Sequence, residues 1–155
     1  MFLKMEGVTG EAGDADHKGE IEVVSWSWGM EASVAVATGL ATGKAKISEL
    51  LVVKRVDHST PTLMNYLKSN KLVKTARLTV RKAGTKPLEY FWIDLEDVRV
   101  TAVKAESEIT ELVERVRLGF AKVRVSYTPQ DSLGGVGGGT NVFETSALET
   151  TREQS

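Results

Sequence analysis

The sequence predicts an all-β domain, a β-barrel of two bent antiparallel sheets with one flanking α-helix. Three observations lead there. Apolar residues alternate with polar ones at a period of two, in segments rich in Val, Ile, Thr and aromatics. One stretch alone carries helical spacing. Several strands also change phase midway, and because a one-residue slip turns every side chain to the other face, each change demands a bulge or a corner. Long strands with corners fit a closed barrel or orthogonal sheets better than a flat meander.

Strands are expected at 2–6, 20–28, 44–54, 74–82, 89–103 and 111–128. In the second, "EIEVVSWSWGM", the apolar phase slips from Ile21 and Val23 to Val24, Trp26 and Trp28. Residues 29–43, "GMEASVAVATGLATG", are small, with Glu31 their one charge. They read as a long loop with room for a short extended piece at "SVAVA", of a length that in a compact domain is functional or ordered by a partner. The helix lies at about 60–70, in "STPTLMNYLKSNK". Ser59 or Thr60 caps it, Pro61 takes the first helical position, and Leu63, Met64 and Leu67 form a stripe that packs over one barrel opening. Asn70 and Lys71 fit its end.

In 74–82, Ala76, Leu78 and Val80 face one way, Arg77, Thr79 and Arg81 the other, and Gly84 and Pro87 turn the chain into the next strand. That strand switches from Phe91, Ile93 and Leu95 to Val98, Val100 and Ala102 across Glu96 and Asp97. The last switches from Val116, Leu118 and Phe120 to Ala121, Val123, Val125 and Tyr127. From Pro129 the chain is rich in Gly, Ser and Thr and reads as a flexible tail, so the expected organisation is a barrel domain at 1–128 and a tail at 129–155.

A chain of 155 residues buries a core without help from metals or disulfides. It has no cysteine, which removes disulfides, thiolate metal sites and thiol nucleophiles together. Twenty basic residues stand against 21 acidic ones, for a formal charge of -1, so no global field draws the protein to nucleic acid or to an anionic membrane. The first twenty residues meet acidic side chains early and contain no apolar signal-peptide core, and no run is long enough for membrane insertion. Export, if it occurs, needs a route of its own.

Sites of chemistry are sparse. "GLATGKA", 39–45, has three residues between its glycines where a phosphate loop needs four, and Ala45 where the metal-binding hydroxyl belongs. "GGVGGG" opens no strand-turn-helix unit. Asp57, His58 and Ser59 are adjacent, and neighbours in sequence do not form a catalytic relay. His17 and His58 have no metal-ligand spacing, and Glu96 and Asp97 point to opposite faces of a strand. The expectation is therefore no catalytic residue, no cofactor and no metal. The tryptophans leave two readings open: Trp26 and Trp28 as core, or as the surface platform of a monomeric ligand-binding β-domain. With the indoles in the core, Ser25 and Ser27 line an outer wall expected to be neutral, small and hydrogen-bonding.

Six blocks, in order over about residues 1–130, carry a family resemblance: "FLKMEGVTGE" with "HKGEIEVVSWSWGM", then "KRVDHSTPTLM", "LTVRKAG", "LEDVRV" and "LGFAKVRVSYTPQ". The sequence resembles the haemolysin-coregulated protein (Hcp), the tube protein of bacterial type VI secretion systems. The resemblance implies a structural protein rather than an enzyme. Its homohexameric rings would stack into a hollow tube, assembled in the bacterial cytoplasm and expelled with its spike by a contracting sheath. Partners would be further copies of itself, sheath and VgrG-type spike proteins, and small effectors in the pore. Ser27, and with it Ser25, would line that pore, with Trp26, Trp28 and Gly29 as the core of the motif. Mixed charges such as Arg77, Arg115 and Arg117 against Glu20, Glu22 and Glu96 would complement one another between subunits. Two positions depart from the family pattern: Gly119 stands where Asn is common, and "NVFETSALETT" lacks an aromatic-Gly-aromatic strand.

Overall fold

The computed structural model describes residues 1–41, 45–82, 88–131 and 137–147. The turn expected at Gly84 and Pro87, residues 42–44 of "GLATGKA", residues 134–136 of "GGVGGG" and the end of the tail lie outside the described residues. In chain order the elements are β1 (Phe2–Met5), β2 (Ile21–Ser27), β3 (Met30–Glu31), β4 (Val34–Ala35), β5 (Leu40–Ala41), β6 (Lys46–Ile47) and β7 (Leu50–Arg55). Then come α1 (Ser59–Ser69), β8 (Val73–Lys82), β9 (Leu88–Ser107), β10 (Leu112–Gly119), β11 (Lys122–Tyr127) and β12 (Asn141–Ser146).

Pairing runs β10-β7-β2-β1-β8-β9, and β9 pairs back onto β10, so six strands close into a barrel, with β11 and β12 extending the sheet beyond β9. One strand makes closure possible. The 20-residue β9 pairs with β8 through Val98 and with β10 from Arg99 onward. At its middle Asp97 adopts φ 51°, a left-handed conformation that Asp tolerates better than most residues. The inward set changes there from Ile93 and Leu95 to Val98 and Val100, all at most 4% exposed, as the phase change requires.

The other two phase changes have equally local causes. In β2 the register with β7 slips between Val23 and Ser25, leaving Val24 as the extra residue of a bulge, exposed and on neither apolar face. The single strand expected at 111–128 is two, β10 and β11, broken at Phe120 and Ala121. Gly119 lies opposite Arg99 and Lys122 opposite Glu96, so the break tracks the Asp97 corner of the partner strand. A Cβ at Gly119 would sit 3.2 Å from Thr101 Cγ2, so the glycine relieves crowding beside the register shift between Arg117 and Leu118.

Within the segment read as a long loop the described residues carry short strands: β3 pairs with β6 and β4 with β5, in an arm between β2 and β7. Part of the segment read as tail is also a strand, since β12 pairs residue for residue along β11.

The core gathers Leu3, Ile21, Leu50, Val52, Leu63, Leu78, Ile93, Leu95 and Leu118, each at most 1% exposed. Each such side chain contributes about 1.5–3 kcal/mol of burial. Of the expected helix stripe only Leu63 is fully buried, while Met64 and Leu67 stay 43% and 38% exposed. The N-cap position falls to His58, whose side chain makes no capping hydrogen bond, instead of Ser59 or Thr60; just before it Asp57 Oδ1 accepts from the Ser59 N–H at 2.8 Å and from the Ser59 hydroxyl at 2.5 Å. A carboxylate suits the positive end of the helix dipole better than a hydroxyl does. Asn70, at φ 52°, ends the helix as expected.

One end of the barrel interior is ionic. Lys54 shares the inward phase of Leu50 and Val52, and Glu114 lies opposite it on β10; both side chains are 0% exposed and they pair directly. The Lys54 ammonium also contacts Asp57 at 3.0 Å and donates to Thr60 Oγ1 at 3.3 Å, which ties the barrel end to the start of α1.

Candidate functional site

The bulge at Val24 sets up the wall around Ser27. Beyond it Trp26 and Trp28 turn inward, half-buried against the core cluster, and Ser25 and Ser27 stand exposed on the outside. Trp26 stacks on Phe91, with ring centroids 5.4 Å apart, and both indoles pack against the core cluster on the side away from the serines. The Trp28 Nε1–H is buried without a partner among the described residues. Gly29, the next residue of the motif, closes the base of the arm: its N–H donates to Ser48 Oγ at 2.9 Å and its carbonyl accepts from the Ser48 N–H at 3.0 Å.

Strand register supplies the rest of the wall. Ser27 lies beside Leu51, Leu51 beside Arg117, and Arg117 beside Ala102. In the neighbouring row Ser25 lies beside Val53, Arg115 and Lys104. The wall is thus serine on one strand and cationic two strands away, which corrects the expectation of a neutral surface. Arg115 and Lys104 share Glu106, at 2.8 and 2.9 Å. Its hydrogen bond to Lys104, aided by the charges of Lys104 and Arg115, holds the Glu106 carboxyl below its usual pKa. Arg117 is exposed and has no ion-pair partner among the described residues.

The arm beside this wall leaves apolar side chains in water: Val36 is 94% exposed, Leu40 67%, Val34 46% and Met30 44%.

The opposite outer face differs. Register aligns Lys4, Arg77, Asp94, Arg124 and Glu144 in one row across β1, β8, β9, β11 and β12. Arg77 binds Asp94 through two hydrogen bonds, at 2.5 and 3.0 Å, and an open groove of about 540 Å³ runs along this row. Farther along the same face the segment between β1 and β2 folds over Phe2. The His17 ring stacks on Phe2 at 4.4 Å and 6°, and the Arg81 guanidinium lies 4.8 Å from the Phe2 ring centroid and pairs with Asp14. His17 bridges Glu20 at 2.7 Å and Glu89 at 2.5 Å. Burial pulls the imidazole pKa down, but the hydrogen bonds to Glu89 and Glu20 outweigh it, and the net shift is upward.

Two of the other residues weighed for chemistry have structural contacts. Ser59 is fully buried as part of the helix cap, and His58 points outward to Glu11 at 3.0 Å. Among the charges expected to meet across subunits, Arg77, Arg115 and Glu20 already have partners within the chain. Sequence reasoning missed Lys54 and Glu114, although Lys54 falls on the apolar phase of its strand, and it weighed His17 only as a metal ligand. It named Arg115 and Arg117 only as charges between subunits and did not place them in the wall of Ser27, because they come from a strand far away in sequence.

Fold and wall define a class: a closed β-barrel with apolar and polar surface left outside its own core. The chain belongs to the Hcp family of type VI secretion proteins, since the family described as "Type VI secretion system effector, Hcp" matches residues 2–127. It is similar to "Protein hcp1" of Pseudomonas aeruginosa, 41% identical over 144 residues that cover 90% of this chain and 89% of that one. Among solved structures, a type VI secretion system effector from Yersinia pestis matches with TM-score 0.78 at 30% identity, covering 94% of this chain and 98% of that chain. Hcp1 from Salmonella typhimurium matches with TM-score 0.77 at 31% identity, covering 96% and 94%. No helix among the described residues is long and apolar enough to cross a membrane.

Proposed function

We propose that this protein is the tube subunit of a type VI secretion system. Six copies close a ring, rings stack into a hollow tube, and the tube is expelled with a VgrG-type spike by its sheath, carrying small effectors in the pore. The observation that carries this reading is the arm. Val36, Leu40 and Val34 project into water on a narrow ribbon, where a lone protomer has nothing to cover them. Exposed apolar groups of this kind mark protein contacts. An arm of one subunit laid on a different surface of the next is a heterologous contact, and such contacts close rings when the rotation allows. Ser27 and Ser25 then face the lumen, offering small hydroxyls past which cargo moves without a large apolar surface to hold it. The role is structural, and the protein leaves the cytoplasm through the machine it helps to build.

Negative-stain electron microscopy and light scattering test the ring. Six-membered rings are expected, and a protein that stays monomeric at high concentration overturns the reading. For the pore, Ser27→Glu should leave rings intact while abolishing co-purification of a pore-bound effector. Loss of the ring itself, or retained cargo, removes Ser27 from that role.

A further inference from the structure

We propose that the wall beside Ser27 recognises small effector proteins through an acidic patch on the effector, with Arg117 receiving its carboxylates. The proposal rests on reading this face as the lumen. At about 4.8 Å between neighbouring strands, Ser27 and Arg117 stand about 10 Å apart across Leu51, within the footprint of a single surface patch. The adjacent row adds Arg115 and Lys104, whose one common partner is Glu106. Beyond the rows Glu49 accepts a hydrogen bond from the Thr101 hydroxyl. Arg115 and Lys104 are thus held by Glu106, and in the next row Arg55 is held by Glu111, whereas Arg117 is exposed with no ion-pair partner among the described residues. A guanidinium not neutralised by its own chain keeps its forked donors for a carboxylate.

The chemistry favours protein carboxylates over nucleic acid. Single strands are held by a basic track with exposed aromatic platforms, and here Trp26 and Trp28 turn away from the wall into the core. Leu51 and Val53, half-buried between the serine and arginine strands, offer a folded partner modest apolar contact instead. A ring repeats the wall once per subunit, so individually weak contacts add up to retention without a tight site, which suits a cargo that must also be released.

The test uses the full-length protein and a fluorescein-labelled oligoglutamate peptide, read by fluorescence anisotropy, with oligolysine and oligothymidylate as comparisons. Light scattering on the same sample, before any peptide is added, reports the ring. Rings that bind oligoglutamate in preference to both comparisons, with affinity falling as salt rises, support the proposal. Arg117→Gln should weaken that binding about fivefold with the ring intact, and Arg117→Lys should restore part of it. Equal binding of oligolysine, tighter binding of oligothymidylate, or an unchanged Arg117→Gln variant in intact rings overturns the proposal and leaves the tube reading standing. Absence of rings overturns the tube reading and is recognised before the peptide is added.

Discussion

The two outer faces of this barrel are built from strands of the same sequence character, yet they differ in which arginines their own carboxylates hold. On the face of β1, β8, β9, β11 and β12, Arg77 is held by Asp94 in a forked pair, Arg124 approaches Glu144 at 3.9 Å, and His17, Asp14 and Arg81 fold a loop down over Phe2. On the face of β2, β7, β10 and the second half of β9, Ser25 and Ser27 are bare and Arg117 stands without an ion-pair partner among the described residues. A charge that its own fold satisfies gives solubility and little else. One left open gives a site for something outside the chain. The difference teaches that charge balance has to be read face by face, since the chain as a whole is nearly neutral.

The largest effect is expected beneath the bare face, where charge is fully buried. Lys54→Met would leave Glu114 in the barrel interior without its cation, and breaking a buried pair on one side costs about 3–5 kcal/mol. Urea unfolding should register that loss. The double variant Lys54→Met, Glu114→Leu should recover most of it, because apolar groups of similar volume replace the pair without stranding a charge. A single variant within about 1 kcal/mol of wild type would mean that the pair does not hold the barrel end to α1.

Those two residues also show where the sequence stops being readable. The fold was legible because strand period and phase are local: "VVSWSWG" announces the Val24 bulge, and the switch across Glu96 and Asp97 announces the left-handed Asp97 corner. Lys54 announced itself too, by falling in phase with Leu50 and Val52, but its partner is 60 residues away and only register brings the two together. The arm gave only a short signal, the alternation of Val34 and Val36 in "SVAVA", because both of its faces meet water and nothing imposes a longer pattern. β12 is silent for the same reason, with Val142 and Phe143 adjacent and both exposed. Of the candidate wall, Ser25 and Ser27 were visible in one strand. Arg117, Arg115 and Lys104 were not, since their place beside the serines depends on cross-strand pairing that no single segment encodes.

A smaller effect separates the covered face from the bare one by pH. The imidazole of His17 has a raised pKa in the folded protein, because its bonds to Glu89 and Glu20 outweigh the cost of burying its charge. A raised pKa means stability that is fully present below the unfolded value near 6.5 and is lost as pH rises through the folded value. The gap in melting temperature between wild type and His17→Gln should therefore be widest near pH 6, a few degrees, and should narrow by pH 9. A gap that widens with pH would show that the Phe2 stack, and not the protonated bridge, holds the loop. Ser27→Glu, on the other face, should show no such dependence between these values.

The smallest effect on stability is the sharpest test of the contrast between faces. Glu106→Gln and Asp94→Asn each remove one partner from an exposed pair, and each should change stability by about 1 kcal/mol or less. Their consequences for oligoglutamate binding should diverge. Glu106→Gln frees Arg115 and Lys104 next to Arg117, so affinity should rise by about two- to fivefold. Asp94→Asn frees Arg77 among Glu6, Glu96 and Glu144, which line the same groove and take up the released charge, so affinity should stay where it was. If both variants gain equally, any uncovered arginine on this barrel attracts acidic ligand, and the Ser27 wall loses its claim to be distinct. If only Glu106→Gln gains, preference for acidic cargo belongs to one face and follows from which carboxylates the fold sets beside which cations.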